Sequence, residues 1–411
     1  MESFYSASSF ILNYNPISLG FYSASYIISS LTYSSTYSEK EKNRYIKEYN
    51  LIRKFDLEDI KKYNLIMIDM DGVLRTGLKK IGLADIVIKK LNENGTPYVI
   101  LTNDCIKNPK TIKHDLKIMG INIGNKNHII SASLLVKNKL MNLLNADDES
   151  KSTYKSGKVS GGSKKKIGIV SSHELYNYVK SKVQNKHKNA KFYNISDNII
   201  PNNLDYIVIG ALENDENIDK NLLKTFQWIY TNPKAKLIIA CPDTKGVENK
   251  DKLLRYSPIK ILQEIESRVN KNHQTFNWKT LKNLVEIEDK KVDFSKYKIN
   301  NEQIIIGKPY LDSMKEILDH YKVNHMGESF RASSEFDSVL IPDNTGKILM
   351  IGDNLDTDIM LGERLRCDTA LVMSGVTSYD DLINICKYDK EKKKVIDEIN
   401  YIIPDISYTT I

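Results

Sequence analysis

From about residue 60 onward, short unbroken apolar runs alternate with amphipathic stretches, and this alternation limits the fold more than any other feature. The runs "YNLIMID" (63–69) and "PYVILTN" (97–103) are too short and too continuously apolar for surface helices, so they read as buried strands. Between them Ala84, Val87, Ile88 and Leu91 fall at i, i+3, i+4 and i+7, and Gly95 stands where a helix would stop. Strand, helix, strand is the opening of a parallel sheet. A further helix starts at Asn108 and Pro109 and presents Ile112, Leu116 and Met119 on one face.

After "MNLLNADD" the chain turns into "ESKSTYKSGKVSGGSKKK", which has almost nothing to bury and reads as a flexible linker. A second alternating unit follows: "KIGIV", a helix near "HELYNYVKSKV", "DYIVIG", a helix through Leu222, Leu223 and Phe226, and "KLIIA". The first pattern then resumes with a helix capped by Ser257 and Pro258 and carrying Ile261, Leu262, Ile265 and Val269. It continues through "QIIIGKP", a helix marked by Leu311, Met314, Ile317 and Leu318, the strand "KILMIGD" and the strand "TALVM". The expected organisation is an extension over 1–58, a core in two parts (59–149 and 246–385) and an inserted smaller α/β domain over 150–245. Polar insertions at 270–301 and 324–346 and a Lys-rich tail over 386–411 complete it.

Four polar groups stand at the carboxyl ends of these runs, where an open parallel sheet binds its ligands. They are Asp69 with Asp71, Thr102 with Asn103, Lys308 beside Pro309, and Asp353 with Asp358. A solvated turn, a calcium loop and a reaction centre could each explain an acidic pair after a strand. An EF-hand counted from Asp69 puts Leu74 where glycine is needed and Lys80 where glutamate is needed, so calcium fails. A phosphate-binding P-loop around Lys308 fails as well, with Glu302 in place of its first glycine and Pro309 in place of Ser or Thr.

Charge excludes other classes. The 60 Lys and Arg are answered by 52 Asp and Glu along the same segments, with no basic motif interleaved with aromatics, which argues against nucleic acid. Cys105, Cys241, Cys367 and Cys386 have neither disulfide-framework nor zinc spacing, which fits a reducing, cytoplasmic setting, and Cys105 reads as a small buried hydrophobe. Residues 3–38 carry no charged side chain and are interrupted by Asn, Pro and Ser, so they read as a poorly ordered extension. No run is long and apolar enough for a membrane span.

Taken together, "DMDGV", "LTN", the Lys of "IGKP" and "GDNLDTD" resemble the four motifs of the haloacid dehalogenase superfamily, over residues 65 to 378. "LTNDC", "ACPDTKG" and "GDNLDTDIMLGERLRCDTALVMSGVT" resemble its branch with a C2-type cap, which includes phosphoglycolate phosphatase, 4-nitrophenylphosphatase and pyridoxal phosphate phosphatase. The resemblance implies an α/β fold with a Rossmann-like parallel core and an inserted C2-type cap. It implies a magnesium-dependent phosphatase acting on a small phosphorylated metabolite, with a homodimer formed through the cap. Asp69 would be the nucleophile, Asp71 the general acid and base, and Lys308 the charge compensator. Thr102, Asn103, Asp104 and Lys308 would hold the phosphate. The metal would take Asp69, the Asp71 carbonyl and Asp353, with Asp358 behind them orienting a metal-bound water or Lys308. Asp104 stands where relatives commonly carry asparagine, and an acid there is unfavourable unless it points away or binds only through its backbone. The segment "CPDTKGVENKD", with Asp243, resembles the loop that faces the leaving group.

Overall fold

The short apolar runs become strands of two separate parallel sheets. The computed structural model describes residues 37–55, 60–124, 128–152, 164–197, 199, 201–213, 215–243, 255–271, 273–276, 297–310 and 347–409. Outside them lie residues 1–36, most of the Ser/Gly/Lys linker, the segment following Asp243, the greater part of both polar insertions and the helix expected at Leu311 to Leu318.

The first sheet contains β1 (Tyr63–Ile68), β4 (Tyr98–Thr102), β5 (His128–Ser131), β13 (Lys347–Gly352), β14 (Asp368–Val372) and β15 (Tyr401–Ile403), in the spatial order β15-β14-β13-β1-β4-β5. All its pairings are parallel. From Leu65 to Ile68 strand β1 alternates between two cores. Ile66 and Ile68 pack with Val87, Ile88, Leu91, Ile112 and Leu116 from the helices Ala84–Glu93 and Pro109–Ile118. Leu65 and Met67 face Val136, Leu140 and Leu144 of the helix Ala132–Ser152 on the other side. Burial on both faces explains why the strand text is continuously apolar. Each such aliphatic side chain contributes about 1.5–3 kcal/mol. A two-residue hairpin, β2 (Arg75–Thr76) with β3 (Lys79–Lys80), follows β1.

The second sheet contains β6 (Lys166–Val170), β7 (Lys191–Asn194), β8 (Tyr206–Ile209), β10 (Lys236–Ile239) and β12 (Gln303–Ile305), ordered β12-β10-β8-β6-β7 and again parallel. The antiparallel pair β9 (Leu212–Glu213) and β11 (Arg255–Tyr256) lies beside it in sequence. This sheet is inserted between β5 and β13, as an α/β core with an inserted α/β domain requires. It also runs past the expected boundary at 245. The helix Pro258–Asn270 buries Ile261, Leu262, Ile265 and Val269 in the second sheet's core, and "QII" is that sheet's edge strand. A three-residue strand carries no information about which sheet it will join, so the sequence reading placed it with the core.

The tail also differs from expectation. Tyr401–Ile403, within the stretch read as a Lys-rich tail, adds an edge strand beyond "TALVM". Among the described residues, 37–51 form a distinct compact unit with Ser378–Asp397. Within its described residues the helix Glu39–Glu48 opens on a capping box at Ser38, and the helix Tyr379–Tyr388 opens on another at Ser378. Lys42 Nζ lies 3.1 Å from Asp380 Oδ1. The expectation of poor order through 58 is therefore not met over Glu39–Glu48. Cys105 and Cys241 are buried and all four cysteines are free thiols. No helix among the described residues is long and apolar enough to cross a membrane.

Candidate active site

Strand order fixes the place of the site. Strand β1 lies between β4 and β13, so the chain leaves it in opposite directions and opens a crevice beyond their carboxyl ends. Asp69 follows β1 directly, and its backbone N–H donates to Ile351 O at 2.8 Å. Asp353 follows β13, and Thr102 and Asn103 end β4. After Asp69 the chain turns back on itself, with Leu74 and Arg75 N–H groups donating to Met70 O at 2.9 and 3.1 Å. Gly72 makes that turn at φ +92°, and a Cβ there would meet Asp353 Oδ2 at 2.3 Å. Only glycine fits both demands.

Lys308 arrives from the end of β12 and is held in place by Asn103. The Asn103 Oδ1 accepts the Lys308 N–H at 2.9 Å while its Nδ2 donates to Lys308 O at 3.1 Å and to Asp243 Oδ1 at 2.8 Å. Gly307, at φ +99°, lets the two segments come this close, since a Cβ would sit 2.5 Å from Asn103 Oδ1. The buried Lys308 Nζ then donates to Asp69 Oδ1 at 2.5 Å and to Asp358 Oδ1 at 2.6 Å. Burial works against its ammonium, but Asp358 and Asp69 outweigh that and hold its pKa above the ordinary lysine value.

Asp358 is placed by an irregularity. Leu355–Ile359 forms a π-helical turn, a wide turn often found at functional sites. From it Asp358 Oδ2 accepts the N–H groups of Asp353 and Asn354 at 3.2 and 3.1 Å. Asp353 in turn accepts the Val376 N–H on Oδ2 at 2.5 Å, and Ser374 Oγ donates to Gly72 O at 2.6 Å. Val376 and Ser374 were not picked out as site residues from the sequence, because their contribution is a backbone amide and a hydroxyl on a loop.

Carboxylate oxygens of Asp69, Asp353 and Asp358 all lie within 4.8 Å of one another. Burial raises Asp69 well above the usual carboxylate range, with Lys308 opposing and Asp358 and Asp353 adding to the rise. Burial, followed by repulsion from Asp358, pushes Asp353 up to about 7. Three buried carboxylates thus face one ammonium, and their donors are hard oxygens. A divalent cation that prefers oxygen fits this set by charge and by chemistry.

That fit has a measurable sign. Because the folded-state pKa of Asp353 is raised from 3.8 to about 7, the native state keeps a proton that the unfolded state releases. In a chelator, its contribution to stability is present at low pH and is lost as pH rises through that window. A divalent cation held by these oxygens would replace the proton, so adding one is expected to raise the thermal midpoint more at pH 8 than at pH 5. At a hundredfold excess over Kd the gain is about 2.7 kcal/mol. Equal gains at both pH values in a thermal melt would contradict the linkage.

The remaining candidates are oriented differently. Asp71 extends its half-exposed carboxylate toward Arg75, whose Nε lies 2.9 Å from Oδ1. Thr102 is buried and its Oγ1 accepts the Asp104 N–H at 3.0 Å, leaving the hydroxyl proton to donate. The Asp104 carboxylate turns into its own loop, where Oδ1 accepts the N–H groups of Ile106 and Lys107 at 2.8 and 3.1 Å. Local amides thus take up one oxygen of the Asp104 carboxylate. Burial raises Asp104, with Asp71 adding to the rise, and pushes half-buried Asp243 up to about 6. Arg75 escaped the sequence reading, since nothing in "VLRTG" signals that an arginine will be buried.

Comparisons with known proteins agree with this geometry. A haloacid dehalogenase-like hydrolase model matches residues 66–182, and a HAD-hydrolase-like model matches 305–401. Phosphoglycolate phosphatase 2 of Arabidopsis thaliana is 48% identical over 40 residues, which is 10% of this chain and 13% of that protein. The match therefore spans only a small part of that relative. A possible sugar phosphatase of the HAD superfamily from Cytophaga hutchinsonii superposes with a TM-score of 0.57 at 19% identity, covering 86% of this chain and 98% of its own. A 4-nitrophenylphosphatase from Thermotoga maritima gives 0.49 at 15% identity, covering 79% and 90%. At 19% identity the likeness to the Cytophaga hutchinsonii protein is one of fold.

Proposed function

The chain has the fold of a haloacid dehalogenase superfamily hydrolase, and on that premise we propose that it is a magnesium-dependent phosphatase of small phosphomonoesters. The observation that carries the reading is Lys308, an ammonium buried between Asp69 and Asp358 with Asp353 beside them. Phosphate esters resist anionic nucleophiles by repulsion, so a site that attacks them must pair its nucleophile with cations. This cluster has that pairing.

In this reading Asp69 attacks phosphorus in line and becomes an aspartyl phosphate. Asp71 protonates the departing oxygen and afterwards takes a proton from the water that releases phosphate. Lys308 offsets the charge between Asp69 and the phosphoryl oxygens, and Asp358 keeps that ammonium aimed. The Thr102 hydroxyl and the Asn103 backbone N–H hold phosphoryl oxygens, because the Asn103 side chain already clamps Lys308. Asp69, the Asp71 carbonyl and Asp353 would hold magnesium. When bound, the ion supplies positive charge to the phosphoryl group.

Phosphoglycolate, or a similarly small acid, is the first choice of substrate. The short match to a phosphoglycolate phosphatase supports it, as does an inserted domain large enough to act as a cap that excludes water. Pyridoxal phosphate and nucleotides are the alternatives within the same class. A homodimer formed through the cap and a cytoplasmic setting belong to the same reading.

Phosphate release from 4-nitrophenyl phosphate is expected with magnesium and is expected to stop in chelator. Ranking phosphorylated metabolites by kcat/KM identifies the substrate. No release from 4-nitrophenyl phosphate or from any member of that panel, with magnesium present, would leave a non-catalytic binding protein as the better description.

A further inference from the structure

Arg75 lies one turn beyond the proposed acid and base, and is only 5% exposed. Arginine is rarely buried unless paired. Here each of its three nitrogens has a separate carboxylate: Nε is 2.9 Å from Asp71 Oδ1, Nη2 is 3.7 Å from Asp104 Oδ2, and Nη1 is 3.9 Å from Asp115 Oδ2. Two of the three partners are themselves fixed. Asp104 is tied to the N–H groups of Ile106 and Lys107, and Asp115 lies on the helix Pro109–Ile118 with Lys107 Nζ at 2.5 Å. The Arg75 backbone is pinned as well, its N–H donating to Met70 O and its C=O accepting the Gly72 N–H at 2.8 Å.

We propose that Arg75 is the positioning residue for Asp71, a planar fork anchored on Asp104 and Asp115 that holds Asp71 Oδ1 and presents Oδ2 to the leaving group. The proposal rests on the phosphatase reading above. A guanidinium can do this and an ammonium cannot, because three donors in one rigid plane fix direction as well as charge. Arg75 is too enclosed to meet substrate, so it acts through Asp71. The arrangement also accounts for Asp104: an acid beside a phosphate site is used here as an anchor for the fork and not as a ligand.

The step that depends on this orientation is proton donation. As the bond from Asp69 oxygen to phosphorus forms and the ester P–O bond breaks, the proton on Asp71 passes to the departing oxygen, which leaves as the neutral alcohol. A leaving group that is stable as an anion needs no such proton. Phenyl phosphate and 4-nitrophenyl phosphate have nearly the same shape and differ mainly in that need.

The test compares kcat/KM for these two esters, with magnesium, in wild type, Arg75→Met and Arg75→Lys. General acid catalysis contributes about 10²–10⁴-fold, so a misdirected Asp71 is expected to cost about tenfold or more on phenyl phosphate and under about threefold on 4-nitrophenyl phosphate. Arg75→Lys, which keeps a charge in the pocket, is expected to recover the thermal midpoint but keep the selective loss. Equal losses on both esters would reduce Arg75 to a structural ion pair. A wild-type response in Arg75→Lys would show that charge suffices without the fork. Wild type inactive on both esters would refute the phosphatase reading itself, and this proposal with it.

Discussion

Asp69→Asn is expected to lower magnesium-dependent phosphate release by at least about 10⁴-fold, the scale seen when a covalent nucleophile is removed. The carboxamide oxygen is a poor nucleophile and carries no charge to share with a cation. The fold should survive, because Lys308 keeps its 2.6 Å contact with Asp358 and the backbone bond from residue 69 to Ile351 does not involve the side chain. Removing a carboxylate whose pKa is raised by burial also relieves the cost of charging it there. A thermal midpoint close to wild type together with lost turnover is therefore the expected pair of results. Activity within tenfold of wild type would remove Asp69 from its role.

The residues whose placement was legible in the sequence are those that end strands. Asp69, Thr102 and Asp353 follow continuous apolar runs, and a run covered on both faces can only be an interior strand of a parallel sheet, so its carboxyl end must face the crevice. Lys308 was also legible, although for a partly mistaken reason. The strand before it was read as part of the first sheet, whereas Gln303–Ile305 belongs to the second, and the lysine reaches Asp69 from there by the Asn103 clamp. What the text could not show was direction. Asp104 and Asp71 look alike as acids after strands, yet one is taken up by two backbone amides and the other by a guanidinium. Short strands such as Tyr401–Ile403 and the π-helical turn that aims Asp358 leave no periodic trace, because three to five residues are fewer than any period needs to repeat.

The heaviest single change to stability should come from Lys308→Met, which keeps the length of the side chain and removes its charge. Asp69, Asp353 and Asp358 would then share a buried space within 4.8 Å with no cation among the described side chains. Breaking a buried ion pair from one side costs about 3–5 kcal/mol, chiefly because the remaining charges are stranded. Turnover should fall about 10³-fold as well, since a preorganised charge facing the phosphoryl oxygens is lost. The stability deficit has two diagnostic properties. It should shrink as pH falls, because carboxylates already raised by burial take up protons and the stranded charge disappears. It should also shrink when Asp358→Asn is added, because the asparagine Oδ1 can still accept the Asp353 and Asn354 N–H groups while removing one negative charge. Urea unfolding of the two single variants and the double variant closes that cycle, and a double variant less stable by the full sum of the two would show that Lys308 and Asp358 do not act as a pair. Activity should stay as low in the double variant as in Lys308→Met, because charge balance within the cluster is restored while the cation facing phosphate is not.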